Sequence, residues 1–202
     1  ERLRSLCPTL SVGVLSADLM RLGDELAGLE RAGVGVAHVD VMDGCFCPAL
    51  TVGPGFVKGL RTPLLKDVHL MVREPLDVLP EYAAAGADVI TVQVEGAVHI
   101  HRVLQRLGTL ESASTPGAPV VRGLALCPAT PLNWLTDPLL AEVEMVVLLA
   151  VDPGSSGQVF DEAAIGRLSR VKEIIRMSGR DILTCVDGGV TWENIGMIAA
   201  AG

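Results

Sequence analysis

Short runs of β-branched and aliphatic residues alternate along this chain with stretches whose apolar positions recur every three or four residues. The first pattern reads as strand and the second as amphipathic helix. Strands are predicted at Leu10–Leu15, Val36–Val41, Lys66–Met71, Val89–Val94, Val120–Leu126, Met145–Val151 and Ile182–Asp187. Helices are predicted at Asp18–Arg31, Pro54–Leu60, Leu76–Ala85, His99–Leu110, Pro131–Leu135, Ala163–Met177 and Asn194–Ala201. In the first of these, Leu19, Leu22, Leu26 and Leu29 fall on one face, and Ser16 and Asp18 before it are N-cap types.

Two phrases, Arg31-Ala32-Gly33 and Ala84-Ala85-Gly86-Ala87-Asp88, place a glycine where a helix would stop in a left-handed cap before the next strand. A third, Ala200-Ala201-Gly202, foretells an eighth strand. Strand–helix units of about 25–30 residues point to an α/β fold with a parallel sheet. Eight units make a closed (β/α)8 TIM barrel, here with the eighth β/α unit missing from the given chain. An open doubly wound sheet is less favoured, since no Gly-x-Gly-x-x-Gly follows the first strand. With no composition shift along its length, the chain reads as one barrel domain over 1–202.

Composition sharpens this in four ways. Half of the 202 residues are hydrophobic but only 3% are aromatic, so the core must be aliphatic, as suits parallel strands buried on both faces. A net charge of −8 with scattered Lys and Arg offers no stripe for a nucleic-acid backbone. Apolar runs such as Met145 to Val151 are too short for a membrane span, and the first residues lack the apolar stretch of a secretory signal. Cys7, Cys45, Cys47, Cys127 and Cys185 form an odd, scattered set, which argues against a disulfide framework and for a reducing compartment; cytoplasm is the expected location.

The densest chemical signal is His38-Val39-Asp40-Val41-Met42-Asp43-Gly44. On a strand, His38, Asp40 and Met42 share one face, and Val39 and Val41 the other. An imidazole and a carboxylate two apart at a barrel strand's end are half a metal site; an ordinary polar strand end would carry the same residues. In Asp67-Val68-His69-Leu70-Met71, His69 and Met71 share a face, although a lone core histidine would read alike. Cys185-Val186-Asp187-Gly188-Gly189 ends an apolar strand with a carboxylate, as a simple turn also would. Together, two imidazoles and two carboxylates each ending a strand suit one divalent transition metal (Zn, Fe, Mn or Co) better than Mg²⁺ or Ca²⁺. Such an ion can polarise a carbonyl and hold an enediolate oxyanion, while two carboxylates exchange a proton on opposite faces of the adjacent carbon. Gly154-Ser155-Ser156-Gly157, between a strand and a helix, could expose backbone N–H groups to a phosphate, or be a turn. Cys45 and Cys47 are favoured as small packing residues, and Glu95, His99 and His101 as surface residues.

At these motifs the chain resembles the ribulose-phosphate 3-epimerase family. The matching stretches are Leu15-Ser16-Ala17-Asp18, His38 through Gly44, Leu50-Thr51-Val52-Gly53-Pro54, Asp67 through Val72, Ala84 through Asp88, Pro128-Ala129-Thr130-Pro131, Val151-Asp152-Pro153-Gly154 and Val186-Asp187-Gly188-Gly189. The resemblance implies a TIM barrel of the ribulose-phosphate-binding type with His38, Asp40, His69 and Asp187 as metal ligands. Asp40 and Asp187 would be the catalytic proton acceptor and donor, with roles swapped in reverse. His69, Met42, Met71, Gly154, Ser155, Ser156, Gly157, Gly188 and Gly189 would bind the substrate, with the two methionines lining the site. The implied reaction interconverts D-ribulose 5-phosphate and D-xylulose 5-phosphate through an enediolate, in the pentose phosphate and Calvin pathways. The partner is a small phosphorylated ketose, with no nucleic acid and no membrane. A homo-oligomer stays open, since family members often form dimers or hexamers.

The sequence departs from the family at its substrate-holding positions. Val12-Gly13 stands where Pro-Ser is usual, Gly154-Ser155-Ser156-Gly157 replaces Gly-Phe-Gly-Gly, and Asp43 through Ala49 replaces Asp-Gly-His-Phe-Val-Pro-Asn. Gln93 replaces a histidine and Leu149 a methionine. Two alternatives therefore stand beside the first reading: an epimerase of another ketose phosphate, such as a 2-ketohexose 6-phosphate, and a non-catalytic binding paralogue. A lyase or decarboxylase is disfavoured, because Lys66, the lysine near these motifs, is odd-spaced from His69 and should face the other side of its strand.

Overall fold

The computed structural model describes residues 1–155 and 157–201. Seven strands stand in one parallel sheet in sequence order: β1 (Ser11–Gly13), β2 (Val36–Met42), β3 (Leu65–Met71), β4 (Val89–Gln93), β5 (Val121–Leu126), β6 (Met145–Leu149) and β7 (Leu183–Asp187). Eight helices accompany them among the described residues: α1 (Arg2–Leu6), α2 (Leu22–Arg31), α3 (Pro54–Gly59), α4 (Leu79–Ala84), α5 (Ile100–Leu107), α6 (Asp137–Leu140), α7 (Ala163–Ser178) and α8 (Ile195–Ala201). Asp187 on β7 lies 3.7 Å from His38 on β2, so the sheet curls back on itself as a half-barrel of the (β/α) type.

Strand periodicity divides the aliphatic residues into two layers. Val39, Val41, Val68, Leu70, Ile90, Val92, Leu124 and Leu148 face outward and pack with Leu79, Leu104, Leu107 and Val171 of the helices. Val36, Leu65, Val89, Ala125, Met145 and Val147 face inward and form a second cluster with Leu3 of α1. α1 thus plugs the N-terminal mouth, with Leu6 so close that a side chain at Gly35 would come within 2.7 Å of it. Its Arg4 pairs at 2.9 Å with Asp181, just before β7. Lys66 faces the helical layer, where its Nζ donates to Val57 O at 2.9 Å.

Two short helices, α1 and α6, were not expected, and the other differences lie at element ends. β1 is short because Val14–Ser16 turns into a 3-10 helix, and the Asp18–Arg31 pattern opens on another 3-10 turn, Leu19–Arg21, capped by Asp18 accepting from Met20 N. The Leu76–Ala85 pattern splits into a 3-10 turn, Pro75–Asp77, and α4, which starts with Pro80 in its first turn, where no N–H is needed. Pro131–Leu135 is reduced to a 3-10 turn at Leu132–Trp134. Gly33 and Gly86 do take positive φ, 81° and 91°, after α2 and α4. Gly202, the third such glycine, lies outside the described residues. No helix among the described residues is long and apolar enough to cross a membrane.

Candidate active site

The inward face of the C-terminal mouth carries the polar residues that the layers below exclude. Register sets Asp40 beside His69, His38 beside Asp67, Met42 beside Met71 and Leu149 beside Asp187. One ligand atom from each of His38, Asp40, His69 and Asp187 lies within 4.8 Å of the other three. His38 Nε2 stands 3.1 Å from Asp40 Oδ1. His69 Nδ1 stands 3.4 Å from both Asp40 Oδ1 and Asp187 Oδ2, near enough for charge attraction but unaligned for a hydrogen bond.

This set fits a divalent transition ion. The fully buried His69 Nδ1 lacks a hydrogen-bond partner, an arrangement that costs stability unless something else fills the role. Two imidazole nitrogens and two carboxylate oxygens converge on one point, a donor set suited to Zn²⁺, Fe²⁺, Mn²⁺ or Co²⁺. His38 is oriented from behind: its Nδ1 lies 2.8 Å from Asp67 Oδ2, which also accepts from Ser11 Oγ at 2.8 Å. A carboxylate behind a ligating histidine fixes its tautomer and leaves Nε2 for the metal.

Electrostatics match. Burial opposes charge on every member, yet the members overturn it for one another. Burial would lower His69, but the facing carboxylates of Asp187 and Asp40 lift it to about 9. His38 is likewise burdened by burial and raised well above 6.5 by Asp67 and Asp40. Burial would raise the carboxyls, but His38 and His69 hold Asp40 well below the usual carboxylate range and Asp187 below its ordinary value. Two protonated imidazoles and two carboxylates are neutral together, as are one dication, two neutral imidazoles and two carboxylates. An entering dication must therefore displace protons from raised histidines. Apparent affinity should fall as pH drops through about 9, where His69 takes up its proton, by roughly tenfold per unit for each proton displaced. Co²⁺ titration of metal-free protein from neutral to mildly alkaline pH measures this; a flat profile would show that neither histidine gives up a proton to the ion.

The remaining candidates stand around this cluster. Met71 is buried and Met42 half-buried, side by side at the mouth. Gly154, Ser155 and Gly157 lie in the loop between β6 and α7, while Ser156 lies outside the described residues. Gln158 Nε2 folds this loop by donating to Asp152 O at 2.6 Å and Ser155 O at 2.9 Å. A side chain at Gly154 would come within 3.2 Å of Cys47 Cβ and 3.1 Å of Pro48 Cδ, so the loops after β2 and β6 touch. Cys47 is buried in that contact and Cys45 is exposed. Gly188 and Gly189 turn the chain away after Asp187.

Two buried residues, Asp67 and Gln93, had no site role assigned from the sequence, and Glu95 was read as a surface residue. Asp67 was legible by strand parity, two positions before His69. Gln93, fully buried on β4, meets His69 Nε2. Glu95 is exposed but holds the loop after β5, accepting from Cys127 N at 2.8 Å and from Thr130 Oγ1.

A curled parallel sheet whose mouth gathers two imidazoles and two carboxylates defines an enzyme of the (β/α)-barrel class. The chain belongs to the ribulose-phosphate 3-epimerase family, whose model matches residues 9–202. It is similar to the ribulose-phosphate 3-epimerase of Escherichia coli (strain K12), 41% identical over 198 residues that cover 96% of this chain and 83% of that protein. The ribulose-phosphate 3-epimerase of Bacillus subtilis (strain 168) is 37% identical over 192 residues, covering 94% and 84%. The putative epimerase LsrE of Salmonella paratyphi A is 37% identical over 194 residues, covering 96% and 76%. In fold alone, the chain resembles a mandelate racemase/muconate lactonizing enzyme-like protein from Rubrobacter xylanophilus, with TM-score 0.54 and 17% identity over 95% of this chain and 48% of that one.

Proposed function

We propose that this chain, acting as one barrel domain, interconverts D-ribulose 5-phosphate and D-xylulose 5-phosphate by moving a proton at C3. The supporting observation is the pair of carboxylates from β2 and β7, Asp40 and Asp187, each 3.4 Å from His69 Nδ1. Inverting a stereocentre requires a proton taken from one face and another given to the opposite face, so it needs two such groups. Asp40 accepts the C3 proton of ribulose 5-phosphate and Asp187 donates to the other face; in reverse they exchange roles. His38 Nε2, His69 Nδ1, Asp40 and Asp187 hold a divalent ion that supplies Lewis-acid polarisation of the neighbouring carbonyl. Met42 and Met71 offer the reacting carbon an apolar wall that gives and takes no protons. The Gly154–Gly157 loop and Gly188-Gly189 bind the phosphate through backbone N–H groups.

The test is purified protein of known metal content, mixed with ribulose 5-phosphate in D₂O. Deuterium at C3 and formation of xylulose 5-phosphate are expected. Bound metal without exchange on any ketose phosphate would replace this reading with a binding paralogue.

One observation favours a second reading. Gly13 pairs with His38 in register, and a Cβ built there meets nothing within 4 Å. That open space beside the site would accept a longer ketose, such as a 2-ketohexose 6-phosphate. Higher kcat/KM for the hexulose, reversed toward the pentulose in Gly13→Ser, would favour it.

A further inference from the structure

The cluster is held from behind at two points, and the two holds differ. His38 is backed by a carboxylate, Asp67. His69 is backed by a neutral amide, Gln93, whose terminal group lies 3.0 Å from Nε2. An amide has a donor end and an acceptor end, and one orientation here pairs both better than the other, in which the oxygen gains a thiol donor, Cys127 Sγ, at 3.8 Å. In the better one, the nitrogen donates to Glu95 Oε2 at 2.8 Å and reaches Ala125 O at 3.3 Å, and the oxygen accepts from His69 Nε2. Reversed, the amide oxygen would face two acceptors, a carboxylate and a carbonyl, while fully buried. Glu95 is fixed in turn, because it accepts from Cys127 N and Thr130 Oγ1, and Arg167 donates to Thr130 O at 2.8 Å. The amide is thus oriented by the ends of β4 and β5 whatever occupies the mouth.

A neutral imidazole carries one N–H, so whichever nitrogen donates leaves the other as the lone pair. We propose that Gln93 is a positioning residue: its amide oxygen accepts the Nε2–H of His69 and so presents the Nδ1 lone pair to the point shared with Asp40, Asp187 and His38. This rests on the metal-binding reading above and adds to it the group that selects the histidine's tautomer. The chemistry also sets the choice of side chain. A carboxylate at position 93 would face Glu95 across 2.8 Å, and an aliphatic residue would leave Nε2–H and Glu95 Oε2 unpaired.

Co²⁺ is the probe, because its visible absorption reports both occupancy and ligand geometry. Gln93→Leu should weaken Co²⁺ binding by about 10–100-fold, the usual effect of removing an outer partner of a ligating histidine. Its turnover should return toward that of the unsubstituted protein at excess Co²⁺, which a merely structural defect would not do. Gln93→His, which can present a ring nitrogen as acceptor, should keep most of the affinity. Equal Co²⁺ affinity in the Leu variant and the unsubstituted protein, or equal weakness in the His and Leu variants, would overturn the role of Gln93. Absence of Co²⁺ binding by the unsubstituted protein would instead overturn the metal reading itself. Should Gln93→Leu fail to fold, ¹⁵N-histidine spectra of the unsubstituted, Zn²⁺-loaded protein decide the matter: a slowly exchanging His69 Nε2–H is expected, and an unprotonated Nε2 would refute the proposal.

Discussion

Asp187→Asn and Asp40→Asn should each lower turnover in both directions by at least about 100-fold, the low end of what a general acid or base contributes. An amide keeps the shape of the side chain but can neither accept the C3 proton nor return it. Since the same two groups serve the forward and reverse reactions, neither direction can be spared. The variants should nevertheless differ in one measurable way. With Asp187 replaced, Asp40 can still take the proton of ribulose 5-phosphate and return one from D₂O to the same face. That variant should exchange deuterium into ribulose 5-phosphate without inverting it, and should leave xylulose 5-phosphate untouched. Asp40→Asn should show the opposite preference. Both substitutions also remove a carboxylate from the ion's donor set, so rates should be compared at saturating Co²⁺ with occupancy confirmed. Near-normal turnover in either variant would remove that residue from proton transfer, and identical exchange patterns would refute the assignment of one carboxylate to each face.

How much of this was legible beforehand depended on whether a feature belongs to one segment or to two. Parity within a strand is local, so sequence alone sets His38, Asp40 and Met42 on one face, and Lys66 on the other side from His69. The left-handed glycines after α2 and α4 were local too. Pairings between strands are not. That Asp67 backs His38 depends on the β2–β3 register, and that Gln93 backs His69 depends on β3–β4; neither register is written in one strand alone. Gln93 stood out only as a departure from the family pattern, and its meaning came from Glu95 and Ala125, which the fold brings to it. The short helices α1 and α6 were missed for a different reason. At five and four residues they are below the length at which apolar spacing shows a period, and tertiary contacts such as Leu3 against Val36 and Leu65 hold them.

Gly189→Ala is expected to destabilise the protein by several kcal/mol and to loosen substrate binding as well. Gly189 has φ of 65°, where an L side chain costs about 1–2 kcal/mol. The added methyl would also lie 2.6 Å from Phe160 N and 2.8 Å from Phe160 Cα, and backbone cannot swing aside as a side-chain tip can. Overpacking of this kind costs about 1–3 kcal/mol, giving about 2–5 kcal/mol together. Phe160 lies in the loop between β6 and α7 that also carries Gly154 and Gly157, so relief of the clash would move the proposed phosphate grip away from Asp187. A lower urea midpoint and a raised KM should appear together, with kcat less affected because the four cluster residues are untouched. Gly196→Ala provides the contrast: it lies inside α8, a Cβ there meets nothing within 4 Å, and the helix should gain up to about 1 kcal/mol from alanine. If Gly189→Ala melts in urea like the unsubstituted protein and keeps its KM, the two loops do not bear on one another in the way their contact implies.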